Sequence, residues 1–155
     1  MLWRLFSSPA DRVPVPVEAL SKWERAATPR GFAEYLVALT GAQAALWVDT
    51  DTVYRALGLD CWDITRDANR YPGPGPIIAH PPCGPWGKYR ARCDQDEAHG
   101  IRAMQLVHQF GGVVEQPEGS TLFTMHGSTG RIEKVFQFHY GHRALKPTLL
   151  YIVER

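Results

Sequence analysis

The sequence predicts an α/β domain in which helices cover both faces of a mainly parallel sheet. Short apolar segments, typical of buried strands, alternate with amphipathic helical segments over most of the 155 residues. Each apolar segment ends in polar, proline-rich or glycine-rich sequence, which places candidate functional residues at the carboxyl ends of the strands. We therefore expect a single compact domain with a three-layer, Rossmann-like sheet.

Length and composition limit the class of protein. A chain of 155 residues is one domain by size and can bury a core without disulfides. The net charge of +1 gives no overall attraction to nucleic acid, so any such contact must come from a local patch. Three cysteines without a paired framework indicate reduced thiols, and polar residues soon interrupt the apolar N-terminus. We expect a cytoplasmic protein with no membrane segment.

The chain divides into an N-terminal extension, residues 1–43, and an α/β core, residues 44–155. In the extension, a short helix is expected over 18–27. A second helix is expected to follow, with Thr28 as cap and Pro29 in its first turn, and to end at Gly41.

The core begins with a predicted strand over 44–48, which ends in Asp49. Asp51 is the expected cap of a short helix closed by Gly58, and the next strand is expected over 59–64. The remaining predicted elements are a strand at 77–78, a helix over 94–110, a strand over 113–115 stopped by Gln116-Pro117, a strand over 136–140 and a closing strand over 149–153.

Cys83 stands in a rigid turn directly after the strand at 77–78. Two prolines precede the thiol and Gly84 follows it, so the backbone is stiff before the cysteine and open to close approach after it. This is a suitable place for a nucleophile, at the carboxyl end of a strand. The alternative is that Cys83 is a small buried hydrophobic residue.

Glu115, at the end of the next strand, is the candidate acid. A thiolate adds to an electron-poor ring more readily when an acid protonates that ring, so a Cys and Glu pair suits such an addition. We expect burial to keep Glu115 protonated, and Lys88, Arg90 or Arg143 to favour the thiolate of Cys83. The alternative for Glu115 is a structural bond to a backbone amide or to Arg143.

A cluster of cations and aromatic rings follows Cys83. Lys88, Arg90 and Arg92 surround Tyr89 and come shortly after Trp86. Such a cluster suits a phosphate backbone and a stacked base, so we interpret Trp86, Lys88, Tyr89 and Arg90 as nucleic-acid-binding residues. The alternative is a solvated loop.

In chain order, Pro81-Pro82-Cys83, Glu115 and the segment 141–146 resemble the DNA cytosine-5 methyltransferases. In that family a Pro-Cys loop supplies the nucleophile, a strand ending in Glu-Asn-Val supplies an acid, and a Gln-x-Arg-x-Arg segment supports both. The chain looks most like short phage and prophage proteins that carry His-Pro-Pro-Cys and Gly-His-Arg-Ala motifs. The resemblance covers residues 45–153 and implies a methyltransferase-type sheet.

The resemblance also implies roles for individual residues. Cys83 would be the nucleophile, Glu115 the acid and Arg143 their support, with DNA as the partner. S-adenosylmethionine would be the cofactor, with Asp49 and Asp63 as the acids at its ribose and adenine. The alternative is that both acids are helix caps or loop acids. Two further residues of the Gly-His-Arg-Ala-Leu-Lys segment complete the nucleic-acid-binding set: His142 and Lys146.

The sequence departs from the family at three points. Residues 1–48 contain no counterpart of the Phe-x-Gly-x-Gly turn that cradles the methionine part of the cofactor. Glu-Asn-Val becomes Glu115-Gln116-Pro117, and no stretch is long enough for a target-recognition domain. Sequence selectivity would therefore be low or supplied by a partner protein, and RNA or a free nucleotide stays open as the substrate.

Two kinds of alternative function stay open. A degenerate family member would bind only DNA or a partner protein, as the missing turn suggests. A pyrimidine-modifying enzyme without this cofactor would be either cofactor-independent or zinc-dependent. Four candidate zinc ligands lie within 20 residues, but their spacing fits no strong motif, so no metal site is assigned: His80, Cys83, Cys93 and His99.

Overall fold

The structure is a computed structural model that describes residues 12–155. Its centre is a six-stranded sheet in the order β2-β1-β3-β4-β6-β5. The strands are β1 Ala44–Leu46, β2 Asp60–Trp62, β3 Ile77–Ala79, β4 Gly112–Pro117, β5 Arg131–Phe136 and β6 Pro147–Val153. The first four strands in this order are parallel, whereas β6 is antiparallel to both of its neighbours, so the sheet is mixed.

Helices cover both faces of the sheet. They are α1 Lys22–Ala26, α2 Arg30–Thr40, α3 Val53–Ala56, α4 Ala98–Phe110 and α5 Leu122–His126. Buried residues of α2 and α3 pack on one face of the sheet, and those of α4 and α5 pack on the other. The expectation of an α/β fold with helices on both faces is confirmed.

Helix α2 forms part of the main core, although the sequence analysis assigns it to the N-terminal extension. Phe32 and Leu36 are fully buried and pack against the sheet. Pro29 precedes the helix, which begins at Arg30, and Gly41 ends it with a φ of 64°. Residues 1–11 of the extension lie outside the described residues.

Helix α4 begins at Ala98, four residues later than predicted. The Asp96 carboxylate accepts a hydrogen bond from the Ala98 amide at 2.9 Å, which satisfies one of the free donors at a helix N-terminus. After the helix, Gly112 has a φ of 115°, and a Cβ there would lie 2.0 Å from the Ile77 carbonyl oxygen. Only glycine allows β4 to pair so closely with β3 at this point.

Strand β4 continues through Gln116 and Pro117, so the prediction that these residues stop it is wrong. Glu115, Gln116 and Pro117 pair with residues at the start of β6. Proline lacks an amide donor, but it is tolerated here because it is the last residue of the strand. The extension places Glu115 inside the strand, where its backbone pairs with Leu150 of β6.

The strand predicted over 136–140 is wrong. The strand lies earlier, at β5, and Gln137–Tyr140 form a 3-10 turn. The alternating aromatic residues reflect packing in this turn: Phe138 is buried, and the Tyr140 ring stacks on Tyr35 with 4.5 Å between ring centroids. The sequence analysis predicted neither β5 nor the short helix α5.

Strand β1 ends at Leu46, before the predicted end at Val48. Trp47 has a φ of 54°, a left-handed conformation that interrupts the strand. Thr52, and not Asp51, caps α3, since its side chain accepts from the Tyr54 amide. Among the helices of residues 12–155, none is both long enough and apolar enough to cross a membrane.

Candidate active site

Cys83 lies on a braced loop at the carboxyl end of β3. The residue is exposed, whereas Pro81 before it is buried. The Gln116 side-chain amide donates to the Pro81 carbonyl at 3.0 Å, and Gln116 in turn accepts from the Ser120 hydroxyl at 2.9 Å. Because Gln116 is only 1% exposed, these bonds fix the Pro-Pro-Cys loop to β4 in a largely dry environment.

Glu115 lies on the neighbouring strand at the same edge of the sheet. Strands β3 and β4 are parallel, and Ala79 pairs with Val114, so His80 and Glu115 follow side by side. The expectation that the Cys83 loop and Glu115 share one edge of the sheet is confirmed. Glu115 Oε2 lies 3.0 Å from His80 Nδ1.

A third side chain extends this arrangement into the core. The Tyr54 hydroxyl lies 2.8 Å from His80 Nε2, and Tyr54 is the fully buried residue of α3. Tyr54, His80 and Glu115 therefore form a continuous hydrogen-bonded chain from the core to the carboxyl edge. The sequence alone does not reveal this hydrogen-bonded chain, although one of its members, His80, begins the His-Pro-Pro-Cys motif.

The Cys83 thiol is not activated at rest. Although the residue is exposed, the protein around the sulfur removes part of its water, and this desolvation raises the pKa of the Cys83 thiol. The second cause is the Glu115 charge, which repels the thiolate. Lys146 acts in the opposite direction and lowers the thiol pKa. The expectation that nearby cations hold Cys83 as a thiolate is wrong, because desolvation and a neighbouring carboxylate prevail.

Lys146 is the half-buried cation of the site. Burial lowers the pKa of Lys146, while the charges of Glu115 and Cys83 favour its protonated form. Its φ of 45° is a left-handed conformation, which is uncommon for a residue with a long side chain. Lys146 immediately precedes β6, whose start lies beside the end of β4, so the topology brings the lysine to Glu115.

The structure places Arg143 elsewhere. Its guanidinium pairs with Glu24 of α1, and the Arg143 side chain is 62% exposed. His142 is buried, and its Nδ1 accepts from the Ala144 amide at 2.9 Å. The Gly-His-Arg-Ala segment thus contacts α1 through Arg143. The cation that acts on Cys83 and Glu115 is Lys146, two residues after this segment.

The predicted nucleic-acid-binding residues after Cys83 fall into two groups. Trp86 is 2% exposed and packs edge-on against His126, so it cannot stack on a base at the surface. Tyr89 is 68% exposed, with the Lys88 ammonium 5.6 Å from its ring centroid. Arg90 is also exposed, so the cationic and aromatic surface expected here retains Lys88, Tyr89 and Arg90.

The two acids expected at the cofactor differ from each other. Asp49 is exposed after β1. Asp63, after β2, is almost buried, and both of its oxygens are occupied: Oδ2 accepts from Arg55 at 2.9 Å, and Oδ1 accepts from the amide and hydroxyl of Thr65. The Thr65 hydrogen bonds are the main reason that the pKa of Asp63 is lowered.

The four candidate zinc ligands do not converge. His80 is bound between Tyr54 and Glu115, and His99 Nδ1 accepts from the Trp47 indole at 3.1 Å. Cys93 lies against Gln95. Within residues 12–155, no group of three or more His, Cys, Asp or Glu side chains is arranged to hold a metal ion.

Two surface depressions lie away from this edge. They have volumes of about 270 and 110 Å³, and both are lined by the end of β6. Because Val153 pairs with Gly112 at the start of β4, these depressions lie where the parallel strands begin. Neither includes Cys83 or Glu115.

Comparison of the chain with protein-family models, with curated proteins and with solved structures finds no match.

Proposed function

We propose that this chain acts on a cytosine base of a nucleic acid, with Cys83 adding to ring carbon 6 and Glu115 handling the proton at ring nitrogen 3. The observation that carries the proposal is the placement of an exposed thiol beside a carboxylate whose charge acts on it. Such a pair can approach one pyrimidine ring from two sides. The resemblance to the cytosine-5 methyltransferases supports the same assignment.

The addition balances without any other reagent. The S–H bond of Cys83 breaks and a bond forms between its sulfur and carbon 6. The electron pair of the C5=C6 bond moves to form C4=C5, and the pair of the C4=N3 bond takes a proton at nitrogen 3. Glu115 accepts the thiol proton and delivers one to nitrogen 3, so no net proton is exchanged with solvent.

The raised pKa of Cys83 is consistent with this order of events. A thiol that stays protonated until substrate arrives is protected from oxidation and alkylation, since the thiolate is the reactive form. The Lys146 ammonium then stabilises the negative charge that passes from Glu115 to the sulfur as the thiol gives up its proton.

Strand order supports a Rossmann-like, methyltransferase-type sheet as part of the proposal. Strand β2 lies on one side of β1, and β3 lies on the other. The order in which strands are added to the sheet therefore reverses between β1 and β3. Open α/β sheets bind their ligands outside the carboxyl ends of the strands at such a switch point. His80 and the Cys83 loop follow β3 at this place.

DNA is the proposed partner. RNA or a free nucleotide would present the same cytosine base to Cys83 and Glu115. Tyr89 offers a ring on which a base can stack, while Lys88 and Arg90 offer charges to phosphates. A base inside a duplex would have to be flipped out to reach Cys83. Since no segment resembles a target-recognition domain, we assign sequence selection to a protein partner.

S-adenosylmethionine is the cofactor that the resemblance implies, but the residues after β1 and β2 do not fit it well. Asp49 is exposed and available to ribose hydroxyls, whereas Asp63 has both oxygens engaged. Trp47, and not glycine, occupies the left-handed position after β1, and its indole is bound to His99. The proposal therefore includes the addition to the base and no step through the cofactor.

A non-enzymatic alternative rests on the same observation. If the occupied Asp63 and the missing glycine turn exclude a methyl donor, the fold would serve to bind DNA or a partner protein. Three unpaired cysteines suit the reducing cytoplasm, where we place the protein in either case.

Intact-mass analysis tests the proposed addition directly. The protein is mixed with a single-stranded oligonucleotide that carries 2-pyrimidinone, a ring that accepts a thiol at carbon 6 without methyl transfer. We expect a covalent adduct in the wild type and none in Cys83→Ser, with both proteins melting at nearly the same temperature. A 5-fluorocytosine oligonucleotide, with and without S-adenosylmethionine, reports in parallel whether a methyl group is transferred.

Two results would contradict the proposal. No adduct between pH 7 and 9, or an adduct that maps to Cys61 or Cys93, would remove Cys83 as the nucleophile. A large loss of stability in Cys83→Ser with adduct formation retained would return Cys83 to a structural role.

A further inference from the structure

We propose that His80 is a positioning residue, which fixes Glu115 by one carboxylate oxygen and leaves the other oxygen for the base. The inference rests on the proposed function of Glu115 and assigns a role to His80 and Tyr54. Its basis is the chain of contacts at 2.8 Å and 3.0 Å that joins Tyr54, His80 and Glu115.

The hydrogen-bond donors along this chain can be assigned. A carboxylate oxygen only accepts, so the hydrogen of the contact with Glu115 lies on His80 Nδ1, and in that tautomer Nε2 accepts from the Tyr54 hydroxyl. His80 Nδ1 therefore donates to Glu115 Oε2. The imidazole therefore presents one donor to the carboxylate in a single tautomer.

The two oxygens of Glu115 are consequently not equivalent. Oε2 accepts from His80, whereas no hydrogen bond to Oε1 is found within residues 12–155. The side chains of Glu115 and His80 are each only 15% exposed, so the pair is held in a confined place. Oε1 is thus the oxygen that can exchange a proton with Cys83 and the base, while Oε2 holds the carboxylate in position.

Tyr54 gives His80 its rigidity. The phenol is fully buried, and its ring lies 5.5 Å from the His80 ring between centroids. The backbone of His80 is also tied, since its amide donates to the Leu46 carbonyl at 3.0 Å. With the ring and the backbone both fixed, the imidazole cannot follow Glu115 if the carboxylate swings away, and the carboxylate is retained beside Cys83.

Two substitutions of His80 separate the donor from the rest of the ring. Asparagine places an amide nitrogen near the position of Nδ1 and can still donate to Glu115, whereas glutamine reaches toward Nε2 and loses that donor. His80→Asn is therefore the conservative variant and His80→Gln the disruptive one. Tyr54→Phe is a further variant that keeps the packing and removes only the hydroxyl.

The first measurement is alkylation of Cys83 by iodoacetamide across pH, followed by peptide mass. Because the Glu115 charge raises the pKa of Cys83, Glu115→Gln should speed alkylation at pH 7.5, by about three- to tenfold. His80→Gln should also speed it, since an unheld carboxylate moves away from the sulfur. His80→Asn should remain within about twofold of the wild type, as expected for a retained hydrogen bond.

The double variant decides whether His80 acts through Glu115. In the Glu115→Gln background, His80→Gln should have no further effect on alkylation, because there is no carboxylate left to position. Independent, additive effects would overturn the inference, as would slower alkylation in His80→Gln, which would show that the imidazole carries a positive charge. Tyr54→Phe should change the rate in the same direction as His80→Gln, by less.

The second measurement separates this inference from the proposed function. On the 2-pyrimidinone oligonucleotide, His80→Gln should slow adduct formation about tenfold while oligonucleotide affinity stays unchanged, and His80→Asn should restore most of the rate. If the wild type forms no adduct, the proposed function fails, but the alkylation cycle still decides whether His80 positions Glu115. If adduct forms in all His80 variants at the wild-type rate, the positioning role fails and the proposed function stands.

Discussion

The carboxyl edge of the sheet has two halves, and they are built differently. After β3 and β4, the Cys83 thiol, Glu115 and Lys146 lie close enough for their charges to act on one another. After β1 and β2, Asp63 has its oxygens tied to Arg55 and Thr65. The half after β3 and β4 leaves reactive groups available to a ligand. In the half after β1 and β2, the Asp63 carboxylate is bound to neighbouring residues of the protein.

This difference shows that a strand-end carboxylate indicates a site only when its oxygens are available. Asp63 and Glu115 occupy similar places in the sequence pattern, each at or near the end of a short apolar strand. Their hydrogen-bond partners differ. Asp63 accepts from Arg55 and from Thr65, whereas Glu115 contacts one imidazole nitrogen, that of His80.

The largest effect is expected from Glu115→Gln. Removing a positioned acid should slow adduct formation on the 2-pyrimidinone oligonucleotide by roughly 10²- to 10⁴-fold. The same variant should alkylate faster at Cys83, because loss of the carboxylate charge lowers the thiol pKa. Opposite changes in the two rates, measured by intact mass and peptide mass, are a signature that simple unfolding cannot give.

Asp63→Asn is the matched control for that variant. It removes a carboxylate charge from the other half of the edge and should leave both rates within about twofold, since distant sites act independently. A loss of adduct in Asp63→Asn as large as in Glu115→Gln would contradict the division of the edge into two halves.

The next effect concerns nucleic-acid affinity. Tyr89→Ala should weaken binding of a single-stranded oligonucleotide by roughly 1 to 3 kcal/mol, the usual value of one base stacked on an aromatic ring. Fluorescence anisotropy measures this change. Trp86→Phe is the control, because Trp86 is buried and should affect thermal stability without affecting affinity. An affinity that depends on Trp86 and not on Tyr89 would mean that the loop opens when nucleic acid binds.

A third prediction concerns the half after β1 and β2. Because Asp63 is occupied and a tryptophan, Trp47, takes the left-handed position after β1, we expect S-adenosylmethionine to bind no tighter than about 1 mM, or roughly 4 kcal/mol. Isothermal calorimetry measures it. A micromolar dissociation constant that is lost in Asp49→Asn would show instead that this half is a working cofactor site.

Most of the fold could be predicted from the sequence because its signals are local. The strand at β3, the helix at α4 and the end of α2 at Gly41 follow from apolar runs, helical spacing and a left-handed glycine. The errors lie where tertiary contacts decide the conformation. Phe138 suggested a strand by alternation, but its burial in a 3-10 turn depends on packing that no local pattern records.

The candidate site was predictable in part for the same reason. The sequence points to Cys83 and Glu115 because each lies at or just after the end of a predicted apolar strand, and parallel strand ends meet at one edge. Lys146 was expected to contact nucleic acid, and Arg143 to support catalysis, since sequence spacing cannot show which of two nearby cations turns inward. The contact between Tyr54 and His80 joins residues 26 positions apart and has no signal in the sequence.

The smallest expected effect separates the two lysines of the β3 and β4 half. Lys146 lowers the pKa of Cys83, so Lys146→Met should raise it further and move the alkylation profile to higher pH. At any fixed pH below the midpoint the thiolate fraction then falls, and alkylation slows. Lys88→Met is the control: this exposed lysine is not among the charges that act on Cys83, so the profile should not move. A shift in Lys88→Met equal to that in Lys146→Met would mean that the net charge of the loop, and not Lys146 in particular, sets the protonation of the thiol.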